Sequence, residues 1–210
     1  LLGKDLIAQA STGSGKTAVY LDLARACLAA GKSVLLLAPE VALAYKLRRD
    51  ASCALPDVPL FFHHGYQSPA RREATYRQLA ARQEPCLVVG TRSALFLPVP
   101  HLACVVLDEE HDLSFKQQEG FRYHARDIAL YRAHLQQCPV VLGSATPSLE
   151  SVAAVQAGRY RHARLTRRAS AAALPAIHLL DIRRQLLDEG IAPAAWQALA
   201  DGLAAGETSL

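Results

Sequence analysis

Two clusters of residues in this chain have the types and spacing to handle a nucleoside triphosphate. The first is Ala10-Ser11-Thr12-Gly13-Ser14-Gly15-Lys16-Thr17. Gly13 and Gly15 open backbone conformations closed to bulkier residues, so successive N–H groups can converge on phosphate oxygens. Lys16 brings an ammonium to the outer phosphates, and the Thr17 hydroxyl is placed to ligate Mg²⁺. The second cluster is Asp108-Glu109-Glu110-His111, behind the apolar run Val105-Val106-Leu107. Asp108 suits Mg²⁺ held through its water shell. Glu109 suits orienting the water that attacks a γ-phosphate. Successive strand residues point to opposite faces, so both carboxylates serve one site only if the strand stops at about Asp108. An acidic tetrapeptide alone would read as a solvated loop start; the apolar strand before it and the P-loop decide otherwise.

The elements that must position these residues follow from the apolar pattern. Asp5 to Ala10 reads as a buried strand, and Ala18 to Leu28 as a helix with apolar residues at 19, 23 and 27. The start of that helix adds its partial positive charge to the phosphate site. Further strands are expected at Ser33–Ala38, Leu60–His63, Cys86–Gly90, Ala103–Asp108 and Pro139–Gly143. Helices are expected at Val41–Ala51, from Pro69 to about Arg82, over 125–136 and from Pro147. The third of these helices carries Ile128, Tyr131 and Leu135 on one face. Strands without alternation, separated by helices, predict an α/β fold with a mostly parallel sheet covered on both faces. Ligands in such sheets sit at the carboxyl ends of the strands, where the P-loop, Asp108 and Ser144 all fall. The pattern lapses at Thr166. Residues 1–165 are therefore expected to form one nucleotide-binding lobe and 166–176 a linker. A strand at Ile177–Asp181 and a helix at Pro193–Ala204 would open a second domain over 177–210.

Bulk properties narrow the class. A chain of 210 residues holds one α/β domain and part of another. It starts at Leu1, has no Met and stops at Thr208-Ser209-Leu210 in the semblance of a strand, which reads as a piece cut at both ends. No apolar run reaches membrane-span length and no signal peptide is visible. The five cysteines are scattered singly, as expected of reduced thiols in a cytosolic protein without a cysteine metal site. A formal charge of +4 permits a polyanionic partner without demanding one.

A third stretch invites nucleic acid. From Phe115 to Arg126, the aromatics Phe115, Phe121 and Tyr123 alternate with Lys116, Arg122, His124 and Arg126 around Gly120. Aromatic faces stack unpaired bases while nearby cations hold phosphates. Packing of the same aromatics on the lobe is the competing reading.

Thr12–Thr17, Asp108–His111 and Ser144-Ala145-Thr146-Pro147 together resemble the first three motifs of superfamily 2 helicases, in which Ala at the Ala10 position is common. Pro39-Glu40 and Gly90-Thr91-Arg92-Ser93-Ala94 are similar to the DNA-contacting segments of that group. Lys116 to Asp127, Gly90 to Phe96 and Leu165 to Arg168 resemble the PriA family of replication-restart helicases (primosomal protein N′). Two positions depart. Gly3 to Gln9 looks more like the opening of a DEAD-box RNA helicase, and Ala18 stands where PriA relatives commonly carry Glu.

The resemblance implies a RecA-like lobe that binds ATP and Mg²⁺ in a bacterial, cytoplasmic, nucleoid-associated enzyme acting on single-stranded and forked DNA. It implies 3′ to 5′ unwinding, primosome and helicase-loading partners, and no membrane. It assigns coupling between nucleotide and DNA to His111, Ser144 and Thr146. DNA contact falls to Pro39, Glu40, Thr91, Arg92 and Ser93, with Phe115, Lys116, Phe121, Arg122, Tyr123 and Arg126. The family's zinc site and completing arginine would lie outside these residues, leaving the 210-residue chain nearly inactive alone. A DEAD/DEAH-like RNA helicase and a non-hydrolysing, ATP-responsive primosome loader are the alternatives; intact Lys16, Asp108 and Glu109 argue against the second.

Overall fold

Short apolar runs ended by glycine, proline or an acidic pair dictate the sheet. The computed structural model describes residues 5–10, 15–165, 179–183 and 185–205. In chain order these form β1 (Leu6–Ala10), α1 (Lys16–Ala29), β2 (Ser33–Leu37), α2 (Val41–Ala54), β3 (Leu60–His63), α3 (Pro69–Ala80), β4 (Leu87–Gly90) and β5 (Leu102–Leu107). A two-stranded hairpin follows, β6 (Lys116–Gln117) and β7 (Tyr123–His124). Then come α4 (Ala125–Leu135), β8 (Val140–Ser144), α5 (Leu149–Gln156), β9 (Arg161–Leu165) and α6 (Pro193–Ala204). Seven strands make one sheet in the order β3-β4-β2-β5-β8-β1-β9, and every pairing in it is parallel. The carboxyl ends of β5, β8 and β1 are therefore neighbours.

Alternate strand residues point to opposite faces, and both faces are buried. Ile7, Leu35, Leu37, Val105, Leu107 and Leu142 pack with Leu79, Ala94, Leu95, Phe115 and the α4 alanines. Ala8, Val34, Leu36, Val106 and Val141 pack on the other side with α1 and α2. A parallel α/β sheet with helices on both faces is what the apolar pattern predicts. Among the described residues no helix is long and apolar enough to cross a membrane.

Two helices bury a different face from the one expected. α1 buries Tyr20, Leu21 and Ala24, leaving Val19 exposed. α4 buries Ala125, Ala129 and Ala133, while Tyr131 and Leu135 face outward. Small residues let α4 lie close to the sheet, and Arg132 Nη1 fixes its rotation by donating to the Leu95 carbonyl at 2.6 Å.

The edge strand β9 escaped sequence reasoning because Arg161, His162 and Arg164 interrupt its apolar pattern; all three are exposed. At the opposite edge, the Arg48 and Arg82 guanidinium groups stand 5.0 and 5.7 Å from the ring centroids of Phe62 and Phe61 on β3.

The chain divides into two compact units, Leu1–Ala171 and Ala172–Leu210. In the second, α6 starts with Pro193 in its first turn, and Asp188 bridges Ile191. The expected strand at Ile177–Asp181 is not found: residues 179–181 belong to no strand, and 177–178 lie outside the described residues. The expected linker, 166–176, also lies outside them.

Candidate active site

β1 leads into the P-loop, of which Thr12, Gly13 and Ser14 lie outside the described residues. Gly15 follows at the N-cap of α1 with φ 88°, a left-handed conformation that a side chain would disfavour. Thr17 is half-buried in its first turn. Lys16 is nearly buried, and its Nζ reaches Glu109 Oε1 at 2.8 Å.

Both carboxylates reach one site because β5 stops at Leu107. The Asp108 N–H donates to the Leu37 carbonyl at 2.8 Å, continuing the ladder by one bond. Glu109 then adopts φ 50°, the left-handed region that a non-glycine residue rarely occupies. The turn is held by Glu110 N–H to the Gly143 carbonyl and Asp112 N–H to the Glu109 carbonyl, each at 2.9 Å.

Asp108 Oδ1 accepts the Tyr20 hydroxyl at 3.0 Å. Burial, then the neighbouring Glu109, pushes the Asp108 carboxyl above its usual range, while Tyr20 and Lys16 pull it back. Burial and Asp108 drive the Tyr20 phenol well up, so it remains a proton donor. Gly143 makes room for this contact, since a Cβ there would lie 1.6 Å from the Tyr20 hydroxyl oxygen. A half-buried carboxylate with a hydroxyl on the P-loop helix is a hard oxygen set of the kind Mg²⁺ takes. The desolvation raising the Asp108 pKa is what a dication would offset.

His111 Nδ1 lies 2.7 Å from Ser144 Oγ and 3.7 Å from Glu109 Oε2. Ser144 Oγ also accepts the Thr146 N–H at 3.0 Å. A bond chain thus runs from the β5 turn to the end of β8, with Thr146 itself exposed.

Sequence reasoning missed Glu110, the fully buried member of the acidic run. Its carboxylate accepts Ser148 N–H at 2.8 Å and Ser148 O–H at 3.1 Å, and Arg126 Nη1 stands 3.5 Å away. Only the helix-start signature Pro147-Ser148 hinted that an acceptor was needed there.

The expected nucleic-acid residues separate into internal struts and exposed groups. Phe115 is fully buried in the core, so its ring offers no face to a base; that expectation is corrected. Arg126 is likewise corrected, because its nearly buried guanidinium donates to Ser148 Oγ at 2.8 Å and pairs with Glu110. Pro39 is buried and its carbonyl accepts Ser114 Oγ at 3.0 Å, while Glu40 is exposed at the start of α2. Thr91 is buried, and Ser93 Oγ is buried without a hydrogen-bond partner among the described residues. Arg92 donates to the carbonyls of Ser114 and Lys116 at 2.5 and 3.2 Å. Lys116, Arg122 and Phe121 are exposed on the hairpin. Tyr123 meets Phe121 and the unanticipated Phe96 at ring separations of 5.9 and 5.3 Å. Lys116, Gln117, Gln118, Arg122, Tyr123 and His124 line an open cleft of about 540 Å³.

These features define a RecA-like P-loop lobe, with its site at the carboxyl edge of a parallel sheet. The DEAD/DEAH box helicase model matches residues 1–155, and the chain belongs to that family. It is 40% identical to replication restart protein PriA of Treponema pallidum over 176 residues, covering 84% of this chain and 26% of that protein. For PriA of Synechocystis the identity is 44% over 180 residues, covering 83% and 21%. The chain thus spans about a quarter of the length of these curated relatives. A solved DEAD box protein of Methanococcus jannaschii shares the fold at TM-score 0.53 and 20% identity, covering 78% of this chain and 46% of that one.

Gly143→Ala should push Tyr20 off Asp108 and cost about 1–3 kcal/mol, as overfilled cores do. Tyr20→Phe, which removes a hydroxyl without crowding, should cost less. Urea unfolding of both variants tests this order, and a Gly143→Ala variant as stable as the parent would refute the contact.

Proposed function

We propose that this chain is the ATP-binding motor lobe of a PriA-type helicase that couples ATP hydrolysis to 3′ to 5′ movement on DNA during replication restart. The observation that carries the reading is the meeting of Lys16, Asp108 and Glu109 in one site, in a chain that also carries an exposed aromatic and cationic hairpin and is 34–44% identical to PriA proteins. Thr12–Thr17 would hold the phosphates, and Thr17 with Asp108 would hold Mg²⁺, which supplies charge neutralisation at the phosphate oxygens. Glu109 orients the attacking water. His111, Ser144 and Thr146 report between that site and DNA. Glu40, the Thr91–Ser93 backbone, Lys116, Phe121, Arg122 and Tyr123 would meet single-stranded or forked DNA. Primosome and helicase-loading proteins are the proposed partners of the bacterial, cytoplasmic protein.

Lys16→Ala in the full-length protein should weaken ATP binding by about tenfold or more, since a charge-assisted contact is lost. Glu109→Gln should keep affinity within about threefold and lower turnover by roughly a hundredfold or more. Equal loss of affinity in both would reverse their assigned roles. Comparing stimulation by forked DNA with stimulation by RNA decides between this reading and an RNA helicase.

The isolated 210-residue chain should bind Mg-ATP weakly and hydrolyse it near background. In two-lobe motors the second lobe supplies an arginine worth roughly a thousandfold or more in rate. DNA-stimulated turnover at full-length rates would contradict this.

Phe121→Ala in the full-length protein should weaken single-stranded DNA binding by about 5–100-fold, the range expected for one stacked base. It should lower DNA-stimulated ATPase more than DNA-free ATPase. Unchanged DNA affinity with earlier melting would make the ring packing material.

A further inference from the structure

We propose that the Tyr20 hydroxyl positions Asp108 for the metal ion of the nucleotide site and sets that site's preference for Mg²⁺ over Ca²⁺. The proposal deepens the ATP-site reading above and rests on it.

The ring and the hydroxyl of Tyr20 have different surroundings. The ring is fully buried in the core that holds Ala8, Leu21, Ala24 and Val106, where a phenylalanine ring would serve as well. The hydroxyl is not needed for that packing, and burying it is unfavourable unless it meets a partner. It donates to Asp108 Oδ1 at 3.0 Å.

The backbone of β8 is shaped around this bond. A glycine inside a strand weakens it and marks a close approach. A Cβ at Gly143 would lie 1.6 Å from the Tyr20 hydroxyl oxygen and 3.4 Å from Asp108 Oδ1. Two positions that each forgo an ordinary apolar side chain thus converge on one hydrogen bond.

The same bond joins the two elements that would hold the ion. Tyr20 follows Thr17 by three residues on α1, and residues at that spacing share a helix face. Thr17, which would ligate the ion, and Tyr20, which holds Asp108, therefore sit on one strut. Asp108 stands just beyond β5, where the Leu37 carbonyl fixes its backbone N–H but not its side chain. Tyr20 adds the side-chain restraint, as outer hydrogen bonds do for metal-ligating carboxylates.

A restrained carboxylate does not treat all dications alike. Mg²⁺ demands near-octahedral geometry and keeps several of its waters. Ca²⁺ accepts more oxygens in looser geometry, from carboxylates bound through one oxygen or both. With Oδ1 held by the phenol, Asp108 meets an ion or its water shell through Oδ2, which suits Mg²⁺. Without the phenol, the group can turn both oxygens to a larger ion.

The test compares the full-length protein with its Tyr20→Phe variant, which removes the hydroxyl and keeps the ring. Binding of a fluorescent ADP analogue is titrated in EDTA, in Mg²⁺ and in Ca²⁺, with thermal melting recorded alongside. In the variant, the Mg²⁺ concentration giving half of the metal's effect on binding should rise about tenfold or more, the usual cost of losing an outer hydrogen bond to a metal ligand. The Ca²⁺ value and the affinity in EDTA should each stay within about threefold, because neither depends on a one-oxygen carboxylate geometry. Discrimination between the two ions shrinks accordingly. A merely structural hydroxyl would lower the melting temperature and the affinity in all three conditions while keeping the Mg²⁺ to Ca²⁺ ratio. That outcome would overturn the proposal, as would a variant that fails to fold. A parent protein whose nucleotide binding ignores Mg²⁺ would overturn the ATP-site reading and this proposal together; a Mg²⁺-dependent parent with an unchanged ratio in the variant overturns the proposal alone.

Discussion

A strand cannot present two consecutive side chains to the same side, so Asp108 and Glu109 share a site only because β5 ends at Leu107 and Glu109 turns left-handed. A non-glycine residue there costs on the order of 1–3 kcal/mol. The surrounding bonds offset it: Asp108 N–H to β2, Glu110 N–H to β8 and Asp112 N–H back to Glu109. Lys16, Tyr20 and Ser148 then find their partners within this one turn, and His111 reaches from it to Ser144 on β8. Loosening the turn would disperse all of them.

Close approach is the second requirement. A methyl at Gly143 would collide with Tyr20, and one at Gly90 would come within 2.3 Å of the His63 carbonyl oxygen. Gly90 is the last residue of β4 and Gly143 the last but one of β8, both at the carboxyl edge of the sheet. The α4 alanines apply the same logic on the opposite face, setting helix height on the sheet by the smallness of what is buried.

Burial by small residues also explains where the sequence was hard to read. The strand cores were legible because Val34–Leu37, Leu87–Val89 and Val105–Leu107 are unbroken apolar runs, the mark of a sheet covered twice. Helix faces were misjudged because large apolar residues at helical spacing, such as Tyr131 and Leu135, outvoted Ala129 and Ala133. The phosphate and metal residues stood out by chemistry and spacing. Arg126 and Phe115 did not separate from Arg122 and Phe121, since composition cannot tell a cation spent on a buried carboxylate from one facing water. The partners of Arg126, at Glu110 and Ser148, lie 16 residues before it and 22 after, beyond any local pattern.

The charged edge strand β9 has a colloidal consequence. An open parallel sheet has two rims whose unpaired backbone groups can template another chain. Here one rim carries Arg161, His162 and Arg164 into water, and at the other rim guanidinium groups stand over the rings of Phe61 and Phe62. Two copies meeting rim to rim would bring like charges together before any ladder could form. Lateral growth into fibrils or sheets is therefore self-limiting, a safeguard that costs the core nothing because it uses only residues at its boundary.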